Sequence, residues 1–231
     1  MAVVAYLLDI EGLRDRTSED FRAALVQQAK ASGFEPSFIA AVMRLESNFK
    51  PDAVNPNGHA GGLIQFWDSL FPPVAAAAGR PSVSWQQMVR LPAIDQLPFV
   101  MAYYRGTPLP RLGSAAKPGD YYMATFMPAY IGKAPETVLG ERGAEGFSGK
   151  VYAQNQGLDL DHDGKLRVGD VTRAIDRVVD DARTRPVLPV TAAPPSSAPI
   201  AEAGGIGMLF FCPYCSNRCA ARFSVAKVVD T

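Results

Sequence analysis

Three groups of residues in this 231-residue chain have types and spacing that can do chemistry. The first is Glu46 with its surroundings. An apolar run, Phe38 to Leu45, delivers one carboxylate. A polar loop containing Asn55-Pro56-Asn57-Gly58 follows, and the chain returns through Gly61-Gly62 into Leu63-Ile64-Gln65-Phe66. A carboxyl at the end of a buried helix, faced by a Gly-rich loop, is a way to build a general acid. The apolar side raises its pKa, and the loop leaves room for a substrate. The second group runs from Asp159 to Asp170. Asp159, Asp161, Asp163 and Asp170 fall at positions 1, 3, 5 and 12 of a calcium loop, with Gly164 at the sharp turn of position 6. Lys165 offers its main-chain carbonyl, Leu166 faces the core, and Arg167 at position 9 requires a water to complete the shell. The third group is Cys212-Pro213-Tyr214-Cys215 with Cys219. Its spacing suits a redox pair, but sixteen residues after Cys215 are too few for a thioredoxin-like fold. A zinc site lacks a fourth ligand, because His59 and His162 lie elsewhere. The remaining reading is a docking peptide anchored by the apolar run Met208 to Phe211.

These groups need elements to hold them. Apolar spacing predicts a helix over 17–33, with Thr17 and Asp20 as a capping pair and Gly33 as its stop. Pro36 then opens a second helix, apolar almost all round and therefore central, ending near Ser47. A short helix is expected over 63–70, ended by Pro72-Pro73. Further helices are expected at 85–90, 93–104 and 118–126, and a long one follows the acidic loop at 168–182. No long alternating strand pattern appears. The expected fold is mainly α. It divides into an N-terminal segment (1–16), a main domain (17–150), a calcium-loop unit (151–183), a Pro/Ala-rich linker (184–205) and an apolar Cys-containing tail (206–231).

Composition narrows the function. Hydrophobic content of 48% and charged content of 20% describe a globular chain. The 23 basic and 23 acidic residues cancel, which excludes a general nucleic-acid binder relying on a basic surface. The start, Met1 to Leu8, lacks the basic residues of a secretory signal, so synthesis in a cytoplasm without a signal peptide is expected.

Glu46-Ser47, Ala60-x-Gly62-Leu63-Ile64-Gln65 and Ala129-Tyr130 resemble, in order and spacing, the three signatures of the soluble lytic transglycosylase family, related in fold to goose-type lysozyme. The resemblance covers about residues 17–150. Asp120-Tyr121-Tyr122-Met123-Ala124 also resembles family members found in phages. Two positions depart from the pattern: Ile131 stands where the family has Asn, and Ile64 where it has Met. The resemblance implies a lysozyme-like helical domain that cleaves the bond between N-acetylmuramic acid and N-acetylglucosamine in peptidoglycan. Glu46 would be the single catalytic acid/base. Ser47 would orient the backbone or the glycan, Gln65 would contact the sugar, and Tyr130 would hold Glu46 or the acetamido group. The acidic loop and its following helix resemble a half EF-hand or dockerin repeat, which implies a structural Ca2+.

Other carboxylates compete with the single-acid scheme. Asp52 could position a water and make a hydrolase, whereas Asp68 and Asp120 are poorer candidates. His59 reads as a turn residue. Trp67, Trp85, Tyr103, Tyr104, Tyr121 and Tyr122 could line a sugar groove or fill the core. The two alternatives to a transglycosylase are a hydrolytic muramidase on the same fold and a non-catalytic glycan-binding virion protein. The expected partners are peptidoglycan strands and, through the tail, phage structural proteins. The expected place of action is a virion or the host cell wall.

Overall fold

The computed structural model describes residues 3–56 and 58–191. The cysteine tail and most of the expected linker fall outside the described residues.

The chain opens with strand β1 (Val3–Leu7) and a one-turn helix α1 (Leu13–Arg16), followed by α2 (Glu19–Ala31). Ser18, not Thr17, caps α2, its Oγ accepting from Phe21 N at 3.1 Å. Thr17 is used elsewhere, because its hydroxyl donates to the Leu13 carbonyl and closes α1. Gly33 adopts φ 75° after the helix, where a side chain would be strained. Helix α3 (Pro36–Glu46) starts with Pro36 and is capped by Glu35, which accepts from Ser37 N at 3.2 Å. Ile39 through Met43 are all fully buried, so α3 is the central helix of the fold.

The expected helix at 63–70 does not form. Ala60–Gly61 (β2) pairs antiparallel with Phe66–Trp67 (β3) across a tight turn. Gly62 and Gln65 take φ 82° and 52° there, which no helix accommodates. A 3-10 turn at Asp68–Leu70 leads into α4 (Phe71–Ala77). Pro72 and Pro73 therefore start a helix instead of ending one. Their missing N–H groups and fixed φ suit a first turn, where no intrahelical donor is required. Helices α5 (Trp85–Met88), α6 (Ala93–Arg105) and α7 (Pro118–Phe126) follow as the apolar spacing predicts. Then come β4 (Val138–Glu141), α8 (Gly146–Asn155), β5 (Lys165–Arg167), α9 (Val168–Arg183) and β6 (Leu188–Thr191).

Packing joins parts that lie far apart in the chain. The main core joins α2, α3, α4 and α6 to Ile175, Val179 and Ala182 of α9. It also takes in Leu7, Leu188 and Val190, where β1 and β6 pair antiparallel with Leu7 opposite Leu188. The start of the expected linker is thus a strand, and 151–183 is part of the body. The reason lies in α9. Its buried residues recur at helical spacing, and such a stripe is stable only against a partner. That partner is α7 together with α3. A second, smaller core gathers Met123, Phe126 and Met127 with Leu139, Val151, Leu166 and Val171. Among the described residues no helix is long and apolar enough to cross a membrane.

Candidate active site

Glu46 is the last residue of α3. The chain leaves the helix abruptly, with Asn48 and Phe49 at φ 53° and 62°. Left-handed backbone at two consecutive non-glycine residues costs about 1–3 kcal/mol each and persists only where packing enforces it. Here Phe49 is buried and Ser47 is pinned. Ser47 Oγ lies 2.9 Å from the Leu63 carbonyl and 3.2 Å from that of Met43. Its hydroxyl proton is shared between the helix end and the return loop, so Ser47 orients backbone.

The return loop is held from behind by Gln96, a fully buried amide on α6. Its Oε1 accepts from Leu63 N at 3.0 Å. Its Nε2 donates to the carbonyls of Pro51 at 2.8 Å, Met88 at 3.1 Å and Leu91 at 3.2 Å. The two glycines make this possible. A Cβ on Gly62 would stand 2.8 Å from Gln96 Oε1, and one on Gly61 would stand 2.9 Å from Trp85 Cζ2. Trp85 in turn donates from Nε1 to the Phe66 carbonyl at 2.7 Å. Gln65 sits at the turn, with Nε2 donating to the carbonyls of Ala53 and Gly62, both at 3.2 Å.

Burial pushes the Glu46 carboxyl up to about 7, from an ordinary value of 4.5. The Thr125 hydroxyl, 3.4 Å from Glu46 Oε1, opposes that rise by donating to the charged form. Thr125 also lies 2.8 Å from the Tyr122 carbonyl, its closer acceptor. Tyr103 and Tyr104 lie near enough to feel the charge of Glu46, and burial is the main reason their phenols are held protonated. Glu46 as a whole residue stays partly exposed.

Thr125 also lines a groove, together with Gln65, Trp67, Tyr103, Phe126 and Pro128 among others. Gln65 and Thr125 share that lining, and Thr125 joins it to Glu46. Tyr130 packs against the second core from a 3-10 turn, and Thr125 of α7 meets Glu46. Of the other aromatic residues, Tyr104 and Tyr121 are core, whereas Trp67 and Tyr103 reach the groove. The competing carboxylates are engaged or exposed. Asp52 is exposed, Asp68 pairs with His59 at 3.1 Å, and Asp120 caps α7 through Lys117 N at 2.8 Å.

The acidic loop lies between α8 and β5. One oxygen from each of Asp159, Asp161 and Asp163 falls within 4.8 Å of the others. Asp170 stands apart from that convergence. It is the third residue of α9, and its carboxylate accepts from Arg167 N at 2.7 Å and pairs with Arg173. Lys165 N donates to Asp163 Oδ1 at 2.8 Å.

Gln96 and Thr125 are the two residues of this region that sequence spacing leaves unmarked. The only trace of Gln96 is an amide inside an apolar helix, and Thr125 carries no motif at all. Residues 24–89 match the family model described as Transglycosylase SLT domain. The match takes in Glu46, Ser47 and the Gly62–Gln65 loop and stops before α7. None of the curated proteins compared matches the chain. The match supports a peptidoglycan lytic transglycosylase in general terms, on a mainly helical, lysozyme-like fold.

Proposed function

We propose that the chain is a lytic transglycosylase that cleaves peptidoglycan between N-acetylmuramic acid and N-acetylglucosamine, with Glu46 as its one acid/base. One observation carries the reading. Within the matched stretch, burial raises the pKa of Glu46 to about 7, and the carboxyl meets Thr125, a residue that lines a groove. A group with this pKa is protonated often enough to act as an acid and ionised easily enough to act next as a base.

Both steps then belong to one side chain. Neutral Glu46 gives its proton to the glycosidic oxygen as the C1–O bond breaks. The acetamido oxygen of the substrate stabilises the positive C1. Ionised Glu46 then takes the proton of the muramoyl C6 hydroxyl, whose oxygen closes onto C1. The product is a 1,6-anhydro sugar, and Glu46 ends protonated as it began. This departs from the scheme in which a second carboxylate serves as nucleophile or activates water. Gln65 and Thr125, on the groove wall, meet the sugar on either side of the acid.

The test is to digest purified sacculi and identify the products by mass spectrometry. Anhydro-muropeptides are expected. Reducing-end muropeptides would instead make the enzyme a hydrolase, and binding without products would make it a glycan-binding protein. Glu46→Gln is expected to lower cleavage at least about 1,000-fold while leaving the circular dichroism spectrum unchanged. The proposed setting is a phage particle or lysis apparatus, supported by the resemblance of residues 120–124. It is checked by probing purified particles for the chain.

A further inference from the structure

The loop between α8 and β5 holds chemistry that the cleavage reaction does not use. Three converging carboxylates on a surface are common and say little alone. Asp159 adds an independent observation. Its side chain is completely buried. Its Oδ2 is well satisfied, accepting from the Tyr152 hydroxyl at 2.6 Å and from Gly164 N at 3.0 Å, with Arg142 3.8 Å away. Its Oδ1 is buried with no hydrogen-bond partner. A buried carboxylate oxygen without a hydrogen-bond donor is disfavoured unless a ligand meets it. The same carboxylate is the buried member of the group it forms with Asp161 and Asp163.

We propose that Asp159, Asp161, Asp163 and the main-chain carbonyl of Lys165 bind one Ca2+, and that the ion braces α9 against α7, the helix that carries Thr125. The donor set favours this ion. Ca2+ takes several carboxylate and main-chain oxygens in a flexible shell, and the three carboxylate oxygens here lie within 4.8 Å of one another. Mg2+ bonds at about 2.1 Å and demands a tighter octahedron. Arg167 now neutralises Asp163 at 2.6 Å, and the ion displaces it. Asp170 remains the cap of α9.

The brace follows from the chain path. The loop runs through β5 directly into α9, and Leu166, Val168 and Val171 share the second core with Met123 and Phe126 of α7. Thr172 lies against Gly119 so closely that a Cβ there would stand 2.4 Å from Thr172 Cγ2. Helix α7 presents Thr125 to Glu46. This last link rests on the role proposed for Glu46, whereas the ion site does not.

The full chain, stripped with a chelator, is titrated with Ca2+ by calorimetry, and its thermal unfolding is followed with Ca2+ or Mg2+ at about 1 mM. One Ca2+ per chain is expected, with Tm raised by about 5 °C or more and a smaller shift in Mg2+. Asp159→Asn should abolish the binding heat. Because that change touches a buried group, the exposed Asp161→Asn supplies a second variant, expected to weaken binding at least about tenfold. Arg167→Gln removes the competing cation and should tighten binding about threefold or more. No heat and no Tm shift in Ca2+, or unchanged affinity in both Asp variants, would overturn the site. Binding heat requires no peptidoglycan. Failure of cleavage therefore overturns only the reading of Glu46, and failure of binding overturns only this one.

Discussion

At Glu46, two opposed effects set one pKa. Burial raises it and the Thr125 hydroxyl lowers it, with burial the larger. The acid must carry its proton to start the reaction, so kcat/KM is expected to fall as pH rises through about 7. Replacing Thr125 by Val removes the lowering effect and keeps the shape of the side chain. The alkaline limb of the pH profile should then move to higher pH, and an unmoved limb would show that Thr125 does not act on the acid. The carboxyl at position 46 was legible in the sequence because helix periodicity and the Gly-rich return are local signals. Thr125 was not legible, because it lies 79 residues away and meets Glu46 only through the packing of α7 against α3.

At the scale of elements, the return loop depends on α6 and the groove wall depends on α9. Gln96→Leu keeps the volume and removes every hydrogen bond of the amide. It leaves Leu63 N and the carbonyls of Pro51 and Leu91 without their amide partner, at a cost of about 3 kcal/mol in denaturant unfolding, with loss of activity. Gly119→Ala places a methyl into Thr172, whose Cβ and main chain cannot swing away, and should cost about 1–3 kcal/mol. Thr172→Ser deletes the clashing Cγ2 and keeps the hydroxyl that donates to Gly169 O at 3.1 Å. The double variant is expected to recover part of that loss, and strict additivity would contradict the contact. The prolines at 72 and 73 show why the expected helix at 63–70 failed. Local rules place Pro at a helix end or a helix start with equal ease, and the left-handed turn at Gly62–Gln65 chose the start.

For the whole molecule, an active-site acid with a raised pKa affects stability. Between an unfolded value near 4.5 and the folded value of about 7, the folded state holds the extra proton. Stability from this group is therefore complete below pH 4.5 and is lost as pH rises through about 7. At about 1.4 kcal/mol per pH unit, the loss is on the order of 3 kcal/mol at most. Glu46→Gln does not titrate, so above pH 7 it should unfold at higher denaturant than the parent. Equal midpoints at pH 5 and pH 8 for both proteins would contradict the burial of the acid.

The sequence by itself determined the central helix, the acid at its end, the glycine return and the acidic loop, because each is written in the spacing of near neighbours. Tertiary structure decided what those parts serve. It joined β1 to β6 and drew α9 into the core, so segments that read as separate became one body. It placed Gln96 behind the loop and Thr125 over the acid, across 33 and 79 residues of chain. It also turned Asp170 into a helix cap while three other carboxylates converged. Periodicity states which face of an element is apolar but not which other face will cover it, and that pairing exists only once the chain has packed.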